Sequence, residues 1–588
     1  MKSWILTGGA AAVAAVAAVA LVSAQTPAPD PVMQAMHDEL ERDRKITVSN
    51  LEAPYFIEYV MDEADTFSVS ATLGGLVAKR HERFRQPEVH VRVGDYKFDN
   101  TNFAGGGFGG FGGSRYDLER FPLDNSYPVL RRYLWLETDS AYKSAVEAIS
   151  RKRAALRDVS QNGSLNDFAH AEPLHSVHSF HKLQLDEDAW ADKVRSLSAV
   201  FADYPEIKNS SVELEASAGG YVVVNSEGTE VREPENVVFV RARAIAQAAD
   251  GTTLRDSVTF HALDPVNMPP DADMHGGVTE MAQHLVALAK APKGEDYNGP
   301  VLFEDGAGAQ VFAEVLGQNL SLTRRPAGGG GRGAVEPSEL DGRLGARVLP
   351  ESFTVVDDPT QKEWRGRPLF GSYDVDREGV PAKPLQLIEK GVLKGYLLTR
   401  QPVKGFEGSN GRARMPGSYG ASQASISNLF VSSTEGVSPS DLKKQLIDLI
   451  RTRSKPYGIL VRRMDFPSTA SFDEARRLLS GEQGSGRPVS VPLLAYKVYP
   501  DGREELVRGL RFRGFNTRSL KDILGVGNDS TVFDFMDNPA PFALVGATSY
   551  TSEACVIAPS ILIDDMEMHP IEEELPKLPV VPAPELIR

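Results

Sequence analysis

Apolar and polar residues alternate along most of this chain in patterns typical of β-strands, and a few segments have helical spacing instead. Amphipathic helices are predicted at residues 30–50, 138–157, 186–205 and 278–291. Between them, strands are predicted at Pro54–Val60, Thr66–Ala71, Val89–Phe98, Val212–Ala216, Gly220–Val224, Val231–Glu233, Val237–Ala246 and Thr253–Leu263. Asp250-Gly251 is a typical hairpin turn before the last of these strands. The first half therefore predicts a mixed α/β region with an antiparallel sheet.

The second half has shorter strand patterns and many Gly and Pro turns. Its elements are predicted as a strand at Val301–Glu304 and helices at Gly306–Leu320, Pro439–Arg453 and Ser471–Leu479. Because Pro292–Pro300 combines Pro, Gly and charge between two periodic segments, it is the best domain boundary. We predict an α+β protein with an N-terminal domain at 25–295, a β-rich C-terminal domain at 296–575 and a Pro-rich tail at 576–588.

The first residues have the pattern of a secretory signal peptide. Lys2 precedes an Ala-rich apolar stretch, and the small residues Val22 and Ala24 fit cleavage after Ala24. The stretch is also long enough for an uncleaved membrane anchor, although alanine is only weakly apolar. We expect residues 1–24 to be removed and the chain to be exported to the periplasm or the extracellular space, with no membrane contact afterwards.

Charge and cysteine content narrow the range of partners. The formal net charge of −16 disfavours nucleic acid and anionic lipid, which repel an acidic chain. Cys555 is the only cysteine, so no internal disulfide can form. It lies in an apolar strand pattern and is interpreted as a buried structural thiol. No G-x-S-x-G sequence is present, which argues against a serine hydrolase of that type.

Several segments of the second half resemble one known family when they are taken together. They are Gly299–Glu304, Thr354–Thr360, Gly371–Pro381, Ile388–Tyr396, Ser409–Arg412 and Ile426–Leu429. In this order and with this spacing, they resemble the TldD/PmbA family of metallopeptidase-related proteins. The resemblance covers about half of the chain.

The resemblance implies a zinc site whose histidines this sequence lacks. Active members carry H-E-x-x-x-H at the start of a helix, where the glutamate acts as general base on zinc-bound water and a distant cysteine is the third ligand. Here Phe303 and Gly308 replace the two histidines, and only Glu304 is retained. Glu304 fits either the general-base position or a carboxylate favoured by the helix dipole. We expect this chain alone to be inactive and to hold no cofactor, with zinc in the family or in a partner subunit.

Other histidines do not rebuild a metal site by their spacing. His175, His178 and His181 cannot converge on one face of either a helix or a strand, so we predict an exposed or cleft-facing run. The remaining candidates are interpreted as structural or as a solvated strand end: His275, His284, Asp564, Asp565, Glu567 and His569.

The resemblance also proposes a substrate cleft. The residues expected to line it are Glu304, Gly371, Ser372, Gly395, Asn410, Gly411 and Arg412. The glycines fit turn positions equally well.

Three functions stay open from the sequence. The first is a PmbA-like subunit without zinc, which binds unfolded peptides by strand addition and works with a TldD-like, zinc-bearing homologue or as a homodimer. The second is an active metallopeptidase with unrecognised ligands. The third is a non-catalytic binding or scaffold protein of the cell envelope.

Overall fold

The computed structural model describes residues 30–48, 50–104, 121–157, 165–328, 337–417, 420–465, 489–537 and 552–571. The expected signal peptide at 1–24, the predicted helix at Ser471–Leu479 and the tail at 576–588 lie outside these ranges. Within them the helices are α1 Pro31–Asp43, α2 Tyr127–Ala155, α3 Glu187–Ala199, α4 Asp271–Lys290, α5 Gly306–Val311 and α6 Pro439–Thr452. No helix among the described residues is long and apolar enough to span a membrane.

Strands of the first half are long. They are β1 Pro54–Thr72, β2 Gly75–Val93, β3 His175–Val177, β4 Ile207–Asn225, β5 Glu230–Gln247 and β6 Thr253–Ala262. They form one sheet in the order β2-β1-β4-β5-β3, with β6 also paired to β5. All pairs are antiparallel except β3–β5, so the predicted antiparallel sheet is confirmed.

Strands of the second half are shorter. They are β7 Tyr297–Phe303, β8 Phe353–Asp357, β9 Glu363–Trp364, β10 Arg367–Pro368, β11 Leu385–Glu389, β12 Val392–Leu393, β13 Ala413–Pro416, β14 Ser422–Ala424, β15 Asn428–Ser433, β16 Gly458–Met464, β17 Pro492–Val498, β18 Glu504–Val507, β19 Leu510–Arg513, β20 Ile523–Val526, β21 Thr531–Asp537, β22 Ser552–Ala558 and β23 Ile561–Pro570. Two larger sheets run β12-β11-β8-β15-β22-β21 and β18-β17-β16-β7-β23-β19, with β20 on β23. The α+β class with a β-rich second half is confirmed.

Several predicted boundaries were wrong, each for a local reason. Pro54–Val60 and Thr66–Ala71 are one strand, because the polar residues between them pair across to β2 and β4. The strand predicted to reach Phe98 ends at Val93, where Gly94 turns with a φ of 106°. The helix predicted from residue 138 begins at Tyr127, one residue after its N-cap Ser126.

Different elements pack against the two faces of the sheet of the first half. Residues of one parity in β1, such as Ile57 and Phe67, pack toward α1–α4. Val60, of the opposite parity, belongs with Tyr221 to a cluster that includes Val375 of the second half. The second half therefore covers part of the sheet face that the helices leave free. The domain division at residue 295 stays a prediction, and β7 begins inside the segment predicted as the boundary.

Polar contacts join the two halves on this face. The Tyr221 hydroxyl donates to the Val375 carbonyl oxygen at 2.6 Å. The Asp374 amide donates to the Glu233 carboxylate at 2.8 Å. Arg377 donates to both carboxylate oxygens of Asp62. Buried hydrogen bonds of this kind fix the relative position of the two faces, because breaking one leaves a polar group without a partner.

Candidate functional site

The segment that resembles the zinc motif lies at the centre of the seven-stranded sheet. β7 is flanked by β16 in parallel and by β23 antiparallel, and it ends at Phe303. Asp305 then takes a left-handed conformation with a φ of 47°, which turns the chain sharply into α5. Its amide donates to the Ser560 hydroxyl at 2.9 Å, which secures the turn.

Neither histidine position is arranged to hold a metal ligand, because one is part of a buried aromatic cluster and the other has no space for a side chain. The Phe303 side chain is fully buried, and its ring centroid lies 5.7 Å from that of Phe512 and 5.9 Å from that of Phe515. A Cβ atom at Gly308 would lie 2.6 Å from the Pro559 carbonyl oxygen, closer than non-bonded atoms approach. These residues do not fit the zinc ion that the resemblance implies. No group of three His, Cys, Asp or Glu side chains suited to a metal occurs in the described ranges.

Glu304 is tied into an ion-pair network away from the interior. Its carboxylate accepts from the Arg462 Nε at 3.1 Å, and Arg462 also donates to Glu504 at 3.0 Å. Burial raises the pKa of Glu304, and the Arg462 guanidinium opposes that rise. The carboxylate is therefore held by an arginine, and its general-base role stays a prediction.

Four of the predicted cleft residues make internal contacts at the β8–β15 region. The Gly371 amide donates to the Asn428 side-chain oxygen at 3.0 Å, and a Cβ at Gly371 would lie 2.4 Å from the Ser427 carbonyl oxygen. The Ser372 hydroxyl donates to carbonyl oxygens of Gln361 and Leu369 at 3.1 Å. Gly395 is buried, and Gly411 has a φ of 76°. Glycine is thus required by packing at residue 371 and by the backbone at residue 411.

Arg412 and Asn410 hold the backbone around them. The Arg412 guanidinium is fully buried and pairs with Asp357 at 2.5 Å, while it also donates to the Lys383 carbonyl oxygen at 2.6 Å. The Asn410 side chain accepts from the Leu398 amide and donates to the Tyr396 carbonyl oxygen. The contacts of both residues are internal, and a cleft-lining role stays a prediction.

The His175 run lies at the surface. The His175 side chain is 72% exposed and lies 3.3 Å from Glu230, and the His178 ring contacts the Ser176 hydroxyl at 3.2 Å. His181 is exposed as well. All three side chains are exposed, in agreement with the predicted exposed run.

The remaining predicted histidines and the cysteine have ordinary partners. His275 contacts the Ser196 hydroxyl, and His284 lies 3.7 Å from Glu280. His569 lies between Glu567 and Asp296, whose carboxylates raise its pKa. Asp564 pairs with Arg453. Cys555 is fully buried, and burial raises the pKa of its thiol well above the ordinary value, so the predicted buried thiol is confirmed.

A cavity of about 700 Å³ lies between β6 of the first half and β21 of the second. Consecutive residues from Asp256 to Leu263 line it. Side chains alternate across a strand, so an unbroken run of lining residues means that the edge of β6 faces the cavity. β6 pairs with β5 and with no other described strand, so the main-chain groups of its other edge have no strand partner among the described residues.

The wall of the cavity opposite β6 is aromatic. The floor of the cavity includes α5, the helix that follows the segment resembling the zinc motif. Phe370, Phe533 and Asp534 face β6, and Gln310 contributes from α5. The Gln310 side chain donates to Glu314 at 2.8 Å and to the Asp465 carbonyl oxygen at 2.9 Å. The helix that would carry zinc ligands in a relative therefore reaches this cavity through a different residue.

Charged groups at the cavity are paired, and its histidine is neutral. Asp256 pairs with Arg463 at one end, and Asp534 pairs with Arg367 at the other. Burial, together with nearby arginines, lowers the pKa of His261 to about 3, so its imidazole is neutral at physiological pH. Sequence reasoning predicted β6 as a strand but missed the cavity, because which strand edge stays unpaired depends on the packing of the two halves.

Comparison with known proteins identifies the second half. Residues 296–464 match the family description "PmbA/TldA metallopeptidase C-terminal domain". Residues 296–464 therefore belong to the TldD/PmbA family. The match begins just before β7 and ends with β16, so it contains the zinc-like segment and the buried Arg412 network.

The curated relatives match over short segments. A protein named "Metalloprotease" from Archaeoglobus fulgidus is 42% identical over 78 residues, which are 13% of this chain and 17% of that protein. One of the same name from Methanothermobacter thermautotrophicus is 42% identical over 64 residues, 11% of this chain and 13% of that protein. The chain thus spans less than a fifth of the length of these two relatives.

Solved structures of similar fold cover almost the whole chain. TldE from Thermococcus kodakarensis has a TM-score of 0.54 at 16% identity and covers 91% of this chain and 99% of its own. A putative modulator of a DNA gyrase from Thermotoga maritima has a TM-score of 0.52 at 16% identity, covering 87% and 96%. At this identity the likeness concerns the fold, which this chain shares over both halves.

Proposed function

We propose that this chain is an exported, zinc-free subunit of the TldD/PmbA type that binds unfolded peptides and works with a zinc-bearing homologue. One observation carries the proposal. Phe303 is locked between Phe512 and Phe515, and Gly308 abuts the Pro559 carbonyl, so the histidine positions are filled by core. A peptidase that retains the fold but packs its metal positions with core can still hold substrate.

The edge of β6 is where the peptide binds. An extended segment laid along residues 257–262 pairs its main chain with the free edge, and its alternate side chains contact the aromatic wall at Phe370 and Phe533. Main-chain pairing recognises any extended sequence, which suits an unfolded substrate. Relatives named as metalloproteases support a peptidase context for the partner subunit.

Elemental analysis and a cleavage assay test the zinc-free assignment. We expect less than about 0.1 zinc per purified chain and no cleavage of an unstructured peptide. Cleavage is expected only when a homologue with an intact H-E-x-x-x-H sequence co-purifies from the native host. One tightly bound zinc per isolated chain, with chelator-sensitive cleavage, would show an active enzyme with relocated ligands.

Peptide binding tests the β6 edge separately. We expect an alternating Val/Thr hexapeptide to bind the isolated chain, and N-methylation of every second amide on the paired side to weaken binding by at least tenfold. Methylation of the other amides, which face away from β6, is the matched control and should change the Kd less than threefold. Equal loss from both patterns would exclude strand addition. Absence of any binding would favour the scaffold function.

A further inference from the structure

The end of the cavity at Asp534 contains a buried acceptor with only a weak donor beside it. The Asp534 side chain is 6% exposed, and its Oδ2 pairs with Arg367. Its Oδ1 is buried and accepts no hydrogen bond from an N–H or O–H group of the described residues, and the Cys555 thiol is the hydrogen-bonding group beside the carboxyl. A buried carboxylate oxygen that lacks a strong donor is costly, so such an atom in a cavity wall indicates a site for a donor from a ligand.

The surrounding protein groups cannot supply a strong donor. Cys555 lies opposite Asp534 in the β21–β22 register, and its thiol is only a weak donor. The Arg367 side chain is 51% exposed and reaches the other carboxylate oxygen from the solvent side. His261, across the cavity, is neutral and packs against Phe370 with ring centroids 5.1 Å apart. The cation already present in this wall is Arg367, which lines the cavity, is half exposed and pairs with Oδ2 rather than Oδ1.

The chemistry of this end suits a cation. Asp534 lies on the same face of β21 as Val532 and shares the cavity with the rings of Phe370 and Phe533. A primary ammonium group carries three donors, and aromatic faces attract it. The chain's net charge of −16 favours the approach of cations over anions.

We propose that Asp534 binds a primary ammonium group of the peptide, either its free α-amino group or a lysine side chain. The inference rests on the proposed peptide binding at β6 and specifies which peptides bind best. Asp534 lines the same cavity as His261 and Phe370, which contact each other, so an ammonium group bound at Asp534 fixes the register of strand addition. The subunit would then select peptides with a free amino terminus or a lysine near that end.

Four versions of one hexapeptide test the proposal by calorimetry on the purified protein. The peptide is an alternating Val/Thr sequence with lysine as its first residue. Its versions are unmodified, acetylated at the amino terminus, changed from lysine to norleucine, and changed at both places. We expect the doubly changed peptide to bind on the order of tenfold more weakly than the unmodified one. The two singly changed peptides show whether the protein binds the α-amino group or the lysine side chain.

The variant Asp534→Asn is the second part of the test, because it keeps the volume of the side chain and removes its charge. We expect it to shrink the tenfold difference between the peptides to less than twofold. Asp188→Asn, at a 94% exposed aspartate on α3, is the matched control and should leave the difference intact. Thermal melting of each variant checks folding, and the peptide series on the unaltered protein does not depend on it.

The outcomes separate the two proposals. Equal binding of all four peptides, or an equal loss for all four in Asp534→Asn, overturns the ammonium site and leaves peptide binding standing. If none of the peptides binds, the proposed function itself fails, and the ammonium site fails with it. A selective loss on acetylation or on norleucine substitution, abolished in Asp534→Asn, supports the site.

Discussion

Phe303 and Phe515 stack with their ring centroids 5.9 Å apart and their planes inclined by 19°. The first of these residues stands where the family resemblance places a zinc-binding histidine. An aromatic stack in a buried cluster contributes more than burial alone, so this position is committed to the core. At this position the chain has a packed aromatic side chain instead of a metal ligand.

Restoring histidines should not restore zinc. We expect a chain with both Phe303→His and Gly308→His to bind less than about 0.1 zinc and to unfold more easily. The tight contact alone is tested by Gly308→Ala, which should lower the free energy of unfolding by about 1–3 kcal/mol because the new methyl meets the Pro559 carbonyl.

Gly306→Ala is the matched control for that substitution. It lies two residues earlier in the same helix, and nothing lies within 4 Å of its added Cβ. The free energy of unfolding should stay unchanged or rise by up to about 1 kcal/mol, as expected for Gly→Ala in a helix. Urea denaturation measures both variants, and equal effects would contradict the steric explanation.

We expect Arg412 to stabilise the fold rather than to bind substrate. Arg412→Met leaves the buried Asp357 carboxylate without its cation, so we expect the free energy of unfolding to fall by about 3–5 kcal/mol. Arg451→Met, at a 59% exposed arginine near Asp448, should change it little. If Arg412→Met folds with full stability and loses peptide binding, the residue lines the cleft after all.

The Glu314 carboxyl should make stability fall as the pH rises. Burial raises the pKa of Glu314 from 4.5 to about 7, although the Ser490 amide and Gln310 donate to its oxygens. Between pH 4.5 and 7 the folded chain therefore keeps a proton on Glu314 that the unfolded chain loses. This proton contributes at most about 3 kcal/mol to the free energy of unfolding. The contribution is fully present below pH 4.5 and is lost as the pH rises through 7.

The measurement for Glu314 is urea unfolding between pH 4.5 and 8. Glu314→Gln should make the free energy of unfolding depend less on pH. The variant should gain stability relative to the unaltered protein at the alkaline end, where the unaltered protein buries the Glu314 charge. Glu407→Gln, at an exposed glutamate, should leave the profile unchanged. An unchanged slope in Glu314→Gln would assign the pH dependence to another group, such as Asp256.

Cys555 should be inert in the folded chain. Burial, and the Asp534 carboxyl beside it, raise the pKa of the thiol, and only a thiolate reacts readily. We expect less than about 0.1 equivalent of thiol to react with a disulfide reagent in an hour under native conditions, and one equivalent after denaturation. Thr434→Cys, at an exposed position, should add one fast-reacting thiol. Rapid reaction of Cys555 itself would show that it is accessible and open to a chemical role.

The sequence by itself determined the class of elements and the family. Alternating apolar and polar residues predict β6, and apolar residues at helical spacing predict α6. The ordered segments around Gly371 and Arg412 carry the TldD/PmbA resemblance. The sequence likewise shows that Phe303 and Gly308 stand where the resemblance places histidines. These features are local, so one sequence contains them in full.

Only the tertiary structure decided what surrounds those residues. The length of β1 followed from cross-strand pairing that holds polar residues inside one strand, which local propensity does not report. The reason that Gly308 cannot be a histidine is the carbonyl of Pro559, about 250 positions away in the chain. The β6 edge and the buried Asp534 carboxyl meet at one cavity because the two halves pack together, and such long-range contacts have no signature in either segment.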